Sequence, residues 1–140
     1  MRLKPMHHNF IMPIKSTTGA GAFDIHMTVS GNISGQFPNM IGLGFAAEVP
    51  AGHVALILPR SGTGAKYGVE LNNTCGVIDS DYRGEWKAAL RTKNGIMFNW
   101  EAGERVLQFL IVPVADVELE LSTELDDTER GSGGFGSSGK

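Results

Sequence analysis

Asp79 and Asp81 flank a turn inside the segment Asn73-Thr74-Cys75-Gly76-Val77-Ile78-Asp79-Ser80-Asp81-Tyr82-Arg83-Gly84-Glu85. Asp79 directly follows the apolar pair Val77-Ile78, so its carboxylate is expected to be partly shielded and able to orient a water as general base. The plainer alternative is a β-turn in which the aspartates bond their own backbone. Asn73 offers an amide donor and acceptor suited to a base edge. The Tyr82 ring is either a packed aromatic or the wall of a sugar pocket. A second constellation, Pro59-Arg60-Ser61-Gly62-Thr63-Gly64-Ala65-Lys66, follows an apolar run. If a helix starts here, its free N–H groups, the Ser61 hydroxyl and Arg60 form an anion site. Otherwise it is a capped turn with Ser61 as N-cap. Its glycine–lysine spacing is not that of a Walker A loop. Gln108 stands alone among Val106, Leu107, Phe109 and Leu110. If buried it must be hydrogen-bonded, either to backbone or to a ligand. Asp24, after a Gly/Ala turn, is a turn-former, a holder of metal-bound waters or a partner for Arg60.

The chain ends Arg130-Gly131-Ser132-Gly133-Gly134-Phe135-Gly136-Ser137-Ser138-Gly139-Lys140. So many glycines raise the ordering cost, and Phe135 is the one large apolar group. A solvated linker accounts for the glycines. A flap over a ligand accounts for the ring and the arginine as well: Phe135 would stack on a flat base and Arg130 would clamp a phosphate.

These residues must be positioned mostly by β-structure. Apolar or alternating runs recur at Phe23–Val29, Ile41–Val49, His53–Leu58, Gly68–Leu71, Thr74–Ile78, Trp86–Thr92, Arg105–Val114 and Val117–Leu121, with Gly, Pro and Asp turns between them. The expected fold is all-β, an antiparallel jelly-roll-like sandwich or barrel with one short helix near Gly62–Tyr67. Residues 1–122 form the β-domain. Residues 123–140 form an acidic arm (Glu124, Asp126, Asp127, Glu129) leading into the glycine-rich tail.

Composition excludes several classes of function. At 140 residues with 41% hydrophobic and 19% charged content, one globular domain is expected. A formal charge of −3 argues against a general nucleic-acid binder. No apolar run approaches a membrane span, and no signal-peptide pattern opens the chain. The lone Cys75 allows no internal disulfide and fits a reducing cytoplasm. No third or fourth ligand accompanies His7 and His8, so they are not a metal site. Trp86 and Trp100 are expected to anchor a core or a subunit interface.

Taken in order, the segments around Asp24, Arg60-Ser61-Gly62, Asn73–Glu85, Gly103–Gln108 and Arg130–Gly139 resemble the five motifs of the trimeric deoxyuridine triphosphatases (dUTPases). Gly76-Val77-Ile78-Asp79-Ser80-Asp81-Tyr82-Arg83-Gly84-Glu85 is the most specific of them. The resemblance implies a jelly-roll protomer in a homotrimer whose active sites are shared between subunits, and hydrolysis of dUTP to dUMP and pyrophosphate with Mg²⁺. It implies Asp79 as the water-activating group and Asn73 as the uracil reader, helped by backbone around Gly76, Val77 and Ile78. Tyr82 would lie under deoxyribose and Gln108 on the α-phosphate. Arg60, Ser61 and Gly62 would bind phosphates, and Asp24 would reach the metal through water. Arg130, Phe135, Gly136, Ser137 and Ser138 would form the closing flap. The first motif departs from the usual Ala-Gly-Tyr-Asp, reading Gly21-Ala22-Phe23-Asp24, and Thr63-Gly64 stands where Leu-Ala is usual. The rival readings are a dCTP deaminase of the same fold, revealed by ammonia release, and a nucleotide-gated binding protein.

Overall fold

The computed structural model describes residues 1–35 and 37–134. Among them the order is β1 (Leu3–Pro5), β2 (Phe23–His26), β3 (Gly31–Ile33), β4 (Asn39–Gly42), β5 (Phe45–Ala47), β6 (His53–Pro59), α1 (Ser61–Tyr67), β7 (Val69–Leu71), β8 (Gly76–Ile78), β9 (Lys87–Thr92), β10 (Phe98–Trp100) and β11 (Arg105–Pro113). All pairings are antiparallel. One sheet runs β2-β11-β6-β8, a second β4-β9-β7, and two small ribbons pair β1 with β5 and β3 with β10. The jelly-roll expectation holds in its sandwich form, and among the described residues no sheet closes into a barrel.

Alternation decides which faces are inside. On β6, Ala55 and Ile57 point into the core; on β9, Ala88, Leu90 and Thr92 do. The layers are tied together by aromatics. Trp86, at the entry to β9, is fully buried. Its ring centroid lies 5.0 Å from Phe45 of β5 and 5.2 Å, edge-on, from Phe109 of β11. Trp86 and Trp100 are core residues of the protomer, one of the two roles expected for them.

Several boundaries differ from the sequence expectation. The run Ile41–Val49 is two strands, because Gly44 adopts φ +76° and a Cβ there would lie 2.4 Å from Thr28 Cγ2. Gly31–Ile33, expected as turn, is a strand paired with β10, and Gly31 leaves room for the Trp100 ring, 2.5 Å from where a Cβ would be. Val117–Leu121, expected as a strand, is unpaired, with Leu119 and Leu121 fully exposed. A strand needs a partner ladder, and among the described residues none pairs with it.

On β7, Glu70 accepts hydrogen bonds from Arg91 Nε at 2.8 Å and pairs with Lys93 Nζ at 3.2 Å. Burial pushes its carboxyl up, but Lys93 and Arg91 outweigh that and hold it below its ordinary value. A carboxyl lowered by folding adds stability above its unfolded pKa, and the gain is lost as pH falls through the folded value. Because these partners are substantially exposed, Glu70→Gln should destabilise by less than about 1 kcal/mol at neutral pH. Urea midpoints of mutant and wild type should converge as pH drops below about 4.

Candidate active site

Asp24 of β2 is 5% exposed and holds the centre of the site together. Its Oδ1 accepts Arg60 Nε at 2.9 Å; its Oδ2 accepts Arg105 Nη1 at 3.1 Å and Ser16 Oγ at 2.9 Å. Arg60 Nη1 also donates to the Arg105 carbonyl at 3.2 Å. Backbone position makes this possible. Gln108 of β11 lies opposite Asp24 on one side and Leu58 of β6 on the other, so β2, β11 and the exit of β6 meet at one level. Ile14 and Asp24 exchange backbone hydrogen bonds at 3.3 and 2.7 Å, which brings Ser16 alongside. Of the roles open to Asp24, positioning Arg60 is the one seen. Arg105 and Ser16 are missed by sequence reasoning, since nothing local in Gly103–Gln108 or Lys15–Thr18 signals a partner across the sheet.

The start of α1 is also fixed by tertiary contacts. Arg60, not Ser61, is the N-cap residue, and it makes no side-chain capping bond. The first turn is held to β11 instead: Thr63 Oγ1 lies 2.9 Å from both the Arg60 and Val106 carbonyls, and Arg60 N–H donates to Val106 O at 3.1 Å. Ser61, expected as a possible cap, is therefore the first helical residue, exposed like Gly62. It lines a cavity of ≈ 300 Å³ with Ser16, Gly21, Asp24, Arg60 and Gln108. Gln108 satisfies both alternatives open to it: Nε2 donates to the Pro59 carbonyl at 3.0 Å while the side chain lines the cavity. A larger opening of ≈ 600 Å³ lies on the Tyr67, Phe98 and Arg105 side. The smaller one is the better candidate, because the hydroxyl and amide converge there.

Beside the cluster, burial and then Arg105 push His26 below its ordinary pKa; Asp24 opposes and Arg60 adds to the shift. The neutral ring therefore adds no third cation to the single carboxylate.

The hairpin half of the site is elsewhere. On β8, Gly76 is buried against Ile57 and Leu71, and Ile78 is half-buried. Val77 is 57% exposed and Asp79 is exposed, which corrects the expectation of a shielded carboxylate. The reason is that β8 is the edge of its sheet, so one face of Val77-Ile78-Asp79 has no cover within the chain. Tyr82 is neither packed nor walled in; its hydroxyl donates to the Glu85 carbonyl at 3.1 Å. Asn73 is exposed, and the following Thr74 has φ +67°, an outlier for a β-branched residue.

Register separates this half from the cavity. Ala55 pairs with Ile78 and Ile57 with Gly76, so Asp79 falls beside the level of Val54, while Gln108 sits at the level of Leu58. Four residues along a strand is about 13 Å, and two strand spacings add about 10 Å across. Asp79 and Gln108 of one chain are therefore about 16 Å apart at their Cα positions, far beyond direct side-chain contact. Arg130 Nε donates to Gly133 O at 2.8 Å in an exposed turn. Phe135, Gly136, Ser137 and Ser138 lie outside the described residues.

Among the described residues no cluster of His, Cys, Asp or Glu could cage a metal. A carboxylate offers about four lone-pair positions. Three of Asp24's are taken by Arg60, Arg105 and Ser16. That leaves one position free, enough to accept from a single metal-bound water. The donor set fits Mg²⁺ that arrives on phosphate oxygens and keeps its own waters.

Fold and site together define a jelly-roll protomer with a polar cavity at the junction of β2, β11 and the start of α1. The family model described as dUTPase matches residues 8–139, and the chain belongs to that family. The deoxyuridine 5'-triphosphate nucleotidohydrolase of Nautilia profundicola is 40% identical over 140 residues, covering 100% of this chain and 99% of that protein. The Wolinella succinogenes enzyme of the same name is 37% identical over 100% of this chain and 94% of its own. Among solved structures, a Staphylococcus bacteriophage 80alpha dUTPase with dUpNHpp superposes with TM-score 0.89 at 25% identity, covering 99% of this chain and 98% of that one. A mutant phage phi11 dUTPase, described with a structural Mg(II) ion, has the same fold, with TM-score 0.77 at 20% identity over 88% of this chain and 96% of that one.

Asp24→Asn leaves two guanidinium groups facing a neutral amide, and should lower the unfolding free energy by about 2 kcal/mol. Ser61→Ala, at an exposed position without a capping role, should change it by less than about 0.5 kcal/mol. Urea denaturation of the two variants side by side checks this.

Proposed function

We propose that the protein is a dUTP diphosphatase whose Asp79 activates the water that attacks the α-phosphorus, giving dUMP and pyrophosphate. The observation that carries this reading is the cavity in which Ser61 and Gln108 converge beside an Arg60 locked by Asp24. A locked guanidinium and a free hydroxyl are pre-organised donors for phosphate oxygens. Phosphoryl chemistry depends mostly on such positioning and charge stabilisation. When Mg²⁺ is bound it neutralises phosphate charge and orients the triphosphate. Asp24 would hold one of the ion's waters, and Arg60, Ser61 and Gly62 would bind phosphates, with Gln108 on the α-phosphate.

Asn73 and the backbone of Gly76, Val77 and Ile78 would read uracil. Cytosine would leave buried polar groups unpaired, which costs about 1–3 kcal/mol per group. Tyr82 would exclude a 2′-hydroxyl. Arg130, Phe135, Gly136, Ser137 and Ser138 would close over the nucleotide and exclude bulk water.

The separation of Asp79 from Gln108 along the register supports a site built between subunits, and hence a homotrimer. So does the arm: Val117, Leu119 and Leu121 alternate with Glu118 and Glu120, all solvent-exposed in the single chain, a pattern suited to pairing on a neighbour. Among the described residues no helix is long and apolar enough to cross a membrane. A cytoplasmic setting, or a host's if the chain is viral, fits the lone free Cys75.

Pyrophosphate release with Mg²⁺ from dUTP, dCTP, dTTP and UTP tests the reading. Wild type should release it from dUTP alone, and Asp79→Asn should slow that at least about a hundredfold. Ammonia release from dCTP would replace the reading with deamination. Silence with every nucleotide would favour a nucleotide-gated binding role.

A further inference from the structure

Glu85 has no role in the site as described, yet it is unusually well seated. Its Oε1 accepts the Gly44 N–H at 3.1 Å. A Cβ on Gly42 would lie 2.6 Å from the same oxygen, so the carboxylate fits only because position 42 has no side chain. Gly44 itself needs φ +76° to aim its N–H there. The flanking backbone continues the attachment: Leu43 N–H donates to Trp86 O at 2.8 Å, and Trp86 N–H to Phe45 O at 2.9 Å.

The other end of Glu85 faces Tyr82. The Tyr82 hydroxyl donates to the Glu85 carbonyl at 3.1 Å. The bond passes over Gly84, where a Cβ would lie 2.3 Å from the phenolic oxygen. Glu85 is thus tied by its side chain to the β4–β5 corner and ties Tyr82 by its backbone. A half-buried carboxylate that merely needed a partner would be better served by a cation. Here a single backbone N–H holds it, between glycines that leave it room.

We infer that Glu85 is a positioning residue for sugar selection: it anchors the Tyr82–Glu85 turn to the Gly42–Gly44 corner and so keeps the Tyr82 ring stiff against the deoxyribose. This rests on the proposal that Tyr82 faces the sugar. Rejecting one hydroxyl by contact demands a wall that does not yield, since a shift of about 1 Å is enough to undo close positioning. Tyr82 is 43% exposed in the protomer, so packing alone gives its ring limited stiffness. The clamp supplies it from outside the hairpin.

The test is kcat/KM for dUTP and for UTP, measured on the full chain for wild type, Glu85→Ala, Glu85→Gln and Gly84→Ala. Glu85→Ala should lose about tenfold of the dUTP-over-UTP preference, the scale of one charge-assisted hydrogen bond. Glu85→Gln keeps an oxygen for the Gly44 N–H and should retain most of the preference. Gly84→Ala displaces the phenol directly and should lose it. A folded Glu85→Ala protein with the wild-type ratio overturns the inference. Should Glu85→Ala not fold, an unchanged ratio in Gly84→Ala overturns it instead. If wild type hydrolyses dUTP and UTP equally, the role of Tyr82 falls and the clamp's with it; if it hydrolyses neither, the diphosphatase reading itself fails.

Discussion

Strand β6 sets the constraint on which the chemistry depends. It is paired along its length by β11 and at Ala55–Ile57 by β8, so neither neighbour can slide without moving its core residues outward. The proposed phosphate cradle forms where β6 ends and Arg60 leads into α1. The hairpin leaves β8 at the other end, carrying Asp79 away from it. The fold therefore places the two groups of candidate site residues apart on one protomer, each formed without the other. The proposed sharing of sites between subunits would bring them together.

At the cradle, one carboxylate does the organising. Asp24 is nearly buried, and two guanidinium groups and a hydroxyl surround it. Burying an unpaired carboxylate would be costly, and the arginines remove that cost while acquiring fixed directions. Neutral His26 adds no competing charge. Thr63 completes the arrangement by pinning the first turn of α1 to β11 through Val106. This substitution for the usual leucine exchanges apolar packing for a directed hydrogen bond. The same pattern appears at the hairpin, where Gly42 admits the Glu85 carboxylate and Gly84 the Tyr82 phenol.

Much of this was legible in the sequence because it is local. Strand alternation, the helix after Arg60-Ser61 and the order of the motifs all depend on neighbours in the chain. What was not legible depends on pairing at a distance. The three-residue strands β3 and β10 are too short to show a period. Ser61 looked like a cap because serine usually caps, yet no side chain caps α1, whose start is tied to the β11 backbone at Val106 instead. Arg105 and Ser16 became visible only once β2 and β11 were in register. Asp79 looked shielded by Val77-Ile78, and the edge position of β8 exposes all but the inward face. Val117–Leu121 has a strand's alternation without a partner in its own chain.

The central claim, that each site is completed by another copy of the chain, is tested most directly by mixing subunits. Asp79→Asn and Gln108→Ala homo-oligomers are each inactive by expectation. Unfolded together and refolded as a mixture, they should regain pyrophosphate release from dUTP, because some sites then pair an intact Asp79 with an intact Gln108 from different chains. Activity that stays at the level of the separate mutants, in mixed oligomers verified by mass, would contradict the account and return both residues to a single-chain site.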